Sequence, residues 1–119
     1  MRVWMDDERE PPTQNNCGTP LPPWDAHCKH AHEALKLLYE QKVTYISLDH
    51  WMWSGELNGM DVAKLICEGA KSGSINRLEW DVHTGDREKY RAMTRLLMEA
   101  DKAWDMRERA EEDYLVDLD

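Results

Sequence analysis

Val43-Thr44-Tyr45-Ile46-Ser47-Leu48-Asp49-His50 is the stretch on which the fold turns. Six β-branched, aromatic and apolar residues read as a buried strand, and Asp49-His50 ends it. Upstream, Ala31, Ala34, Leu35 and Leu38 recur at i, i+3, i+4 and i+7, the face of a helix reaching about Gln41. Downstream, Trp51 to Glu56 reads as loop. A second helix then runs from Asn58 or Gly59 to Ser72, with Val62, Leu65, Ile66, Gly69 and Ala70 inward and Gly73 as its stop. The strand is thus flanked by helices on both sides.

The same alternation extends to both ends of the chain. Arg2-Val-Trp-Met5 is a short apolar run halted by Asp6-Asp7-Glu8-Arg9, which reads as an N-terminal strand. Residues 10–23 hold five prolines with Asn15, Asn16 and Gly18, the composition of a loop. Residues 24–29 read as an edge strand. Residues 77–83 supply a last strand, ending at His83-Thr84-Gly85, and a long helix follows with Tyr90, Met93, Leu97, Ala100 and Trp104 on one face. Asp113 to Asp119 read as a frayed end or a further short edge strand. Strands alternating with helices predict a parallel sheet with crossover connections, a small α/β domain over residues 1–104. Residues 105–119 are expected to be an acidic tail of that same domain.

Composition sets outer limits. The 119 residues carry 15 Lys+Arg against 24 Asp+Glu, a formal charge of −9, with a mean hydropathy of −0.80. No segment approaches the ~18 apolar residues of a membrane span, and the start shows no apolar signal region. Cys17, Cys28 and Cys67 are odd in number and lack CxxC spacing, so reduced thiols in a cytoplasm are expected. The acidity argues against a broad duplex-DNA surface. It is also local: residues 105–119 carry seven acids and two bases, and all of the remaining excess lies at residues 6–10 and Asp49.

Three strands end in ionisable residues: Asp6-Asp7, Asp49-His50 and His83. Taken singly, each reads as a helix cap. In a parallel sheet, however, the C-terminal strand ends share one edge, so these residues converge on a crevice. Two carboxylates ~5 Å apart at an effective dielectric of ~20 repel by roughly 3 kcal/mol. A hard divalent cation removes that cost, and Asp6, Asp7 and Asp49 are its expected ligands, with Mg²⁺ or Mn²⁺ as the ion. Arg9 and Arg87 are the expected phosphate-binding cations, the latter beside the free N–H groups of a helix starting near Asp86. Arg91 and Arg95 read as a solvated face. His27, Cys28, His30 and His32 do not reproduce a zinc spacing, although His30 is placed to approach the crevice. Trp51-Met52-Trp53 reads as a hydrophobic lid, a partner contact or ordinary packing.

The order of an acidic pair, a strand-end Asp and a later Thr-Gly, here Asp6, Asp7, Asp49 and Thr84, resembles the receiver domain of two-component response regulators. No lysine stands where the receiver's later strand would carry one. A closer likeness is to the receiver-like family predicted to process cyclic phosphates. It rests on Met1-Arg-Val-Trp-Met-Asp-Asp-Glu-Arg9 with Pro11, on Ile46-Ser-Leu-Asp-His50 followed by Gly59-Met-Asp-Val-Ala63, and on His83-Thr84. Trp51-Met52-Trp53 and Gly85-Asp86-Arg87 depart from that family's usual motif flanks.

The resemblance implies a receiver-like (flavodoxin-like) sheet of about four strands in the order 2-1-3-4 with helices on both faces. It implies metal-dependent hydrolysis or binding of a phosphodiester, a cyclic nucleotide or a 2′,3′-cyclic phosphate end. His50 and His83 would then serve as general base and acid and Arg9 would stabilise charge, with Arg9, Thr84 and Arg87 meeting phosphate. The expected partner is a phosphate-bearing small molecule or a single-stranded nucleic acid end. Two other readings stand beside this one. One is a phosphoacceptor receiver using Asp49. The other is a non-enzymatic protein, such as a phage factor that binds a host protein through its acidic tail.

Overall fold

The computed structural model describes residues 1–52 and 57–117. Four strands form one sheet: β1 (Arg2–Met5), β2 (Ala26–Cys28), β3 (Tyr45–Leu48) and β4 (Glu79–Val82). They pair in the order β2-β1-β3-β4, every pair parallel, as expected from the sequence. The helices are α1 (Ala31–Tyr39), α2 (Gly59–Ser72) and α3 (Arg87–Asp117).

Register fixes which side chains share a face. Val3, Ile46 and Trp80 are aligned across the sheet, as are Met5, Leu48 and Val82. Because strand side chains alternate, these rows lie on one face. They join the buried residues of all three helices in a single core: Leu35 and Leu38 from α1, Val62 and Ile66 from α2, Met93, Leu97 and Trp104 from α3. Helices on both faces are therefore not found among the described residues. The physical reason is the β1–β2 connection, whose prolines preclude a helix. β2→β3 and β3→β4 step in the same direction across the sheet, so right-handed crossovers put α1 and α2 on the same side.

The opposite face carries Trp4, His27, Tyr45 and Ser47 and is covered by the proline-rich loop. An antiparallel bridge between Gln14 and Pro20 shapes that loop, and the Asn15 side chain accepts from the N–H groups of Cys17 and Thr19. Trp24 closes it down. Its ring meets Trp4 edge-on at 5.4 Å, and the Arg2 guanidinium lies over both Trp24 and Tyr45.

Local chemistry sets the helix ends. Asn58 and Asp61 form a reciprocal capping box at the start of α2, and Gly73 ends it in the left-handed region at φ 85°. Leu65 is only half-buried, while Ala63 and Cys67 are fully buried, so the inward stripe is rotated slightly from expectation. α3 is the larger correction. It continues through the acidic segment to Asp117, with neither a frayed end nor an edge strand over 113–117. Trp104 donates to the Ile75 carbonyl, Arg77 pairs with Asp105 and Glu108, and Arg107 donates to the Lys71 carbonyl. These contacts tie the helix down beyond the sheet. Tyr90, expected inward, is 43% exposed.

Candidate functional site

The two-residue period that builds the sheet also builds the site. Trp4 and Asp6, Ser47 and Asp49, Asp81 and His83 continue the loop-covered face past the strand ends. Asp6 and Asp49 are buried, and His83 is mostly so. One ligand atom each from Asp6, Asp49 and His83 lies within 4.8 Å of the others. Asp7, expected as a third carboxylate ligand, lines the crevice but is not in this cluster; an imidazole stands there instead.

Asp6 is heavily held. Its Oδ1 accepts from the backbone N–H groups of Glu8 and Arg9 at 2.9 Å each. Its Oδ2 accepts from Arg9 Nε at 3.0 Å and lies 3.0 Å from His83 Nε2. Burial alone would raise its pKa, but the two backbone donors, His83 and Arg9 together hold it below the usual carboxylate range. Asp49 faces the reverse balance. Burial and the neighbouring Asp6 charge push it up to about 6, against the His50 N–H and Arg9 that favour its ionised form.

Arg9 is the counter-ion of both. One guanidinium nitrogen is 3.2 Å from Asp49 Oδ1 and donates to the His83 carbonyl at 2.8 Å. Its backbone carbonyl accepts from Trp4 Nε1. The side chain remains 54% exposed, so the guanidinium is fixed on one edge and open on the other.

His83 is held on three sides. Its ring stacks on Trp4 at 3.7 Å with an interplanar angle of 7°, and Nδ1 lies 2.7 Å from Ser47 Oγ. Burial drives its pKa down to about 4 despite Asp6, so the imidazole is neutral at pH 7. Ser47, His83 and Asp6 form a hydrogen-bonded chain in the order of a serine-nucleophile relay. However, Ser47 is 2% exposed, so its hydroxyl meets no substrate; it is a positioning residue. Because a hydroxyl both donates and accepts, Ser47 can receive Nδ1–H and leave the Nε2 lone pair facing the carboxylates.

Other expected residues lie elsewhere. By the same alternation His50 falls on the helix side: it is buried, its Nδ1 has no partner among the described residues, and it does not line the crevice. Burial and Lys89 lower its pKa. Its contribution runs through the backbone, whose N–H donates to Asp49 Oδ1. His30 precedes α1 as its cap residue and stacks on His32 at 5.5 Å. His27 approaches the site instead, with Nε2 2.8 Å from the Asp6 carbonyl. Thr84 lines the crevice, its hydroxyl accepting from the Asp86 N–H. The start of α3 is not a free anion site. The Asp86 carboxylate accepts from the Lys89 N–H, and Arg87 lines a neighbouring depression rather than the crevice.

Sequence reasoning missed Ser47, Trp4 and Gly59. The first two carry the signal of period-two spacing from Asp49 and Asp6. Gly59 has no local signal: a Cβ there would lie 1.8 Å from the Asp49 carbonyl oxygen, so α2 starts against the backbone of a site residue.

The crevice is about 460 Å³, lined by Asp6, Asp7, Glu8, Asp49 and Asp86 with Arg9, and bordered by Trp51, which is 62% exposed. Trp53, the other half of the expected lid, lies outside the described residues. A parallel α/β sheet with buried carboxylates and a histidine at its C-terminal edge defines a receiver-type domain. The profile of the cyclic-phosphate processing Receiver domain matches residues 1–99, and the chain belongs to that family. No curated protein and no solved structure gives a match. Among the described residues, no helix is long and apolar enough to cross a membrane.

Proposed function

We propose that this domain binds and hydrolyses a cyclic phosphodiester with the aid of a divalent cation held by Asp6, Asp49 and His83. The observation that carries this reading is the lining of the crevice, five carboxylates against the single guanidinium of Arg9. Such a wall repels a phosphate unless a cation comes with it.

The donor set fits one. Two carboxylates and a neutral imidazole converge within 4.8 Å, and a cation would take the place of the proton that His83 Nε2 shares with Asp6 Oδ2, with Ser47 then receiving Nδ1–H. The imidazole nitrogen favours Mn²⁺ over Mg²⁺, which takes oxygen ligands. When bound, such an ion polarises the phosphoryl group and acidifies its water.

The chain's own residues supply the rest. Arg9 offers its open edge to the phosphate oxygens, where negative charge grows as water attacks phosphorus and one ring P–O bond opens. Trp4 and Ser47 fix the plane and tautomer of His83. The oxygen that leaves phosphorus takes up one proton, and the product is a phosphomonoester.

The test is turnover of cyclic nucleotides and of oligonucleotides ending in 2′,3′-cyclic phosphate, each with Mg²⁺, Mn²⁺ or EDTA. Turnover that needs the metal and is lost in Asp6→Asn and Asp49→Asn supports the proposal. If no phosphate species is bound or turned over with any metal, it is wrong. A phosphoacceptor role for Asp49 is less well served, because no lysine lines the crevice among the described residues. Labelling by acetyl phosphate that disappears in Asp49→Ala would favour that role instead.

A further inference from the structure

Outside the crevice, the face of α3 from Arg87 to Lys102 is at odds with the rest of the molecule. On a chain of net charge −9, residues 87–102 carry five bases and three acids. Arg87, Arg91 and Arg95 stand one helical turn apart, are exposed, and form no ion pair among the described residues. Of the acids, Asp101 accepts from Trp80 Nε1, and Glu99 pairs with Lys71 at 3.8 Å while lining the depression with Arg91, Arg95 and Lys102, so the bases there outnumber it three to one. Glu88 is the only acid lining the depression beside Arg87.

The surface there is shaped as well as charged. Two adjoining depressions of about 460 and 490 Å³ share Arg91 and Arg95. The first adds Tyr90, Thr94, Met98, Lys102 and one acid, Glu99; the second adds Arg87, Glu88 and Ala92. Tyr90 and Met98 are 43% and 53% exposed. The crevice ends at Asp86 and this stripe begins at the next residue.

We infer that this face of α3 is a binding track for single-stranded RNA, whose 2′,3′-cyclic phosphate end occupies the crevice. The inference deepens the reading of the crevice given above and rests on it for the position of the RNA end. Successive arginines advance about 6 Å along the helix, a step suited to consecutive phosphates of an extended strand. Tyr90 offers a ring on which an unpaired base can stack, and an apolar methionine lies a further two turns along. An acidic peptide would satisfy the charge but leave the exposed ring without a role.

The experiment uses the full chain and the double variant Arg91→Ala/Arg95→Ala, with circular dichroism confirming that both fold. Fluorescence anisotropy follows a labelled RNA hexamer ending in 3′-phosphate, with the matching mononucleotide as competitor. With three arginine contacts, log K should fall against log salt with a slope of about −2 for the wild type and about −0.7 for the variant. Hexamer affinity should drop roughly tenfold or more in the variant at low salt. Equal hexamer binding by wild type and variant overturns the track. So does a hexamer that binds no tighter than the mononucleotide, or an oligoglutamate peptide that binds as well as RNA with the same arginine dependence. Arginine-dependent RNA binding by a protein that turns over no cyclic phosphate would leave the track standing and sink the crevice reading. Mononucleotide turnover with no preference for oligomers would do the reverse.

Discussion

Replacing Asp49 by asparagine should stabilise the metal-free protein. The carboxyl lies in a buried position beside the Asp6 charge, which moves its pKa from 3.8 to about 6. That displacement corresponds to about 3 kcal/mol that the ionised group costs the folded state at neutral pH. Asparagine keeps an Oδ1 acceptor for the His50 N–H and for Arg9 and removes the charge. Local relaxation and the loss of attraction to Arg9 reduce the gain, so about 1–3 kcal/mol is expected, or roughly 3–6 °C in Tm per kcal/mol for a chain of this size. The pH dependence has a definite sign. Because the folded pKa is the higher one, the wild type gains stability relative to Asp49→Asn as pH falls from about 6 towards 3.8, where the carboxyl is protonated in both states. Thermal melts in EDTA at pH 7.5 should therefore separate the two proteins, and melts at pH 4.5 should bring them together. Mn²⁺ should raise the Tm of the wild type and leave the variant unmoved. If Asp49→Asn melts lower than wild type at pH 7.5 in EDTA, Asp49 is an anchor for Arg9, and the argument from burial and repulsion fails.

Other outcomes follow from the same geometry. Ser47→Ala removes the partner of His83 Nδ1 and should weaken Mn²⁺ affinity by roughly 10- to 100-fold, read by isothermal titration calorimetry; an unchanged affinity would deny Ser47 its positioning role. The wild-type Mn²⁺ affinity should fall about tenfold per pH unit below 6, since binding must then expel the Asp49 proton. Gly59→Ala places a methyl group against the Asp49 carbonyl and Met93 and should cost about 1–3 kcal/mol in urea denaturation, with metal affinity falling in parallel.

The strand order and three site groups, Asp6, Asp49 and His83, were legible because each rests on a short-range pattern. Apolar runs ended by Asp6, Asp49 and His83 mark the strand ends, and parallel topology brings strand ends together. What escaped notice depended on facing rather than position. His50 follows Asp49 directly, yet adjacent strand residues point to opposite sides. Asp7 likewise follows Asp6 directly. The helices' confinement to one face was hidden in the proline-rich connection, which looks like any loop until its role as a covering layer is seen. The continuation of α3 through the acidic segment depends on tertiary anchors, Trp104 to Ile75 and Arg77 to Asp105 and Glu108, that no periodicity over residues 105–117 announces.

The sheet's unequal faces have an evolutionary corollary. Stability and chemistry are interleaved residue by residue along each strand, yet physically they occupy separate layers. Along β1, changes at Val3 and Met5 would act through the core alone, whereas changes at Trp4 and Asp6, both buried and hydrogen-bonded, would loosen the crevice wall as well as the fold. A saturation scan reporting abundance and metal binding separately would therefore show binding falling further than abundance at every second position. Such a molecule can drift in its substrate on one side while its scaffold is held constant by selection on the other.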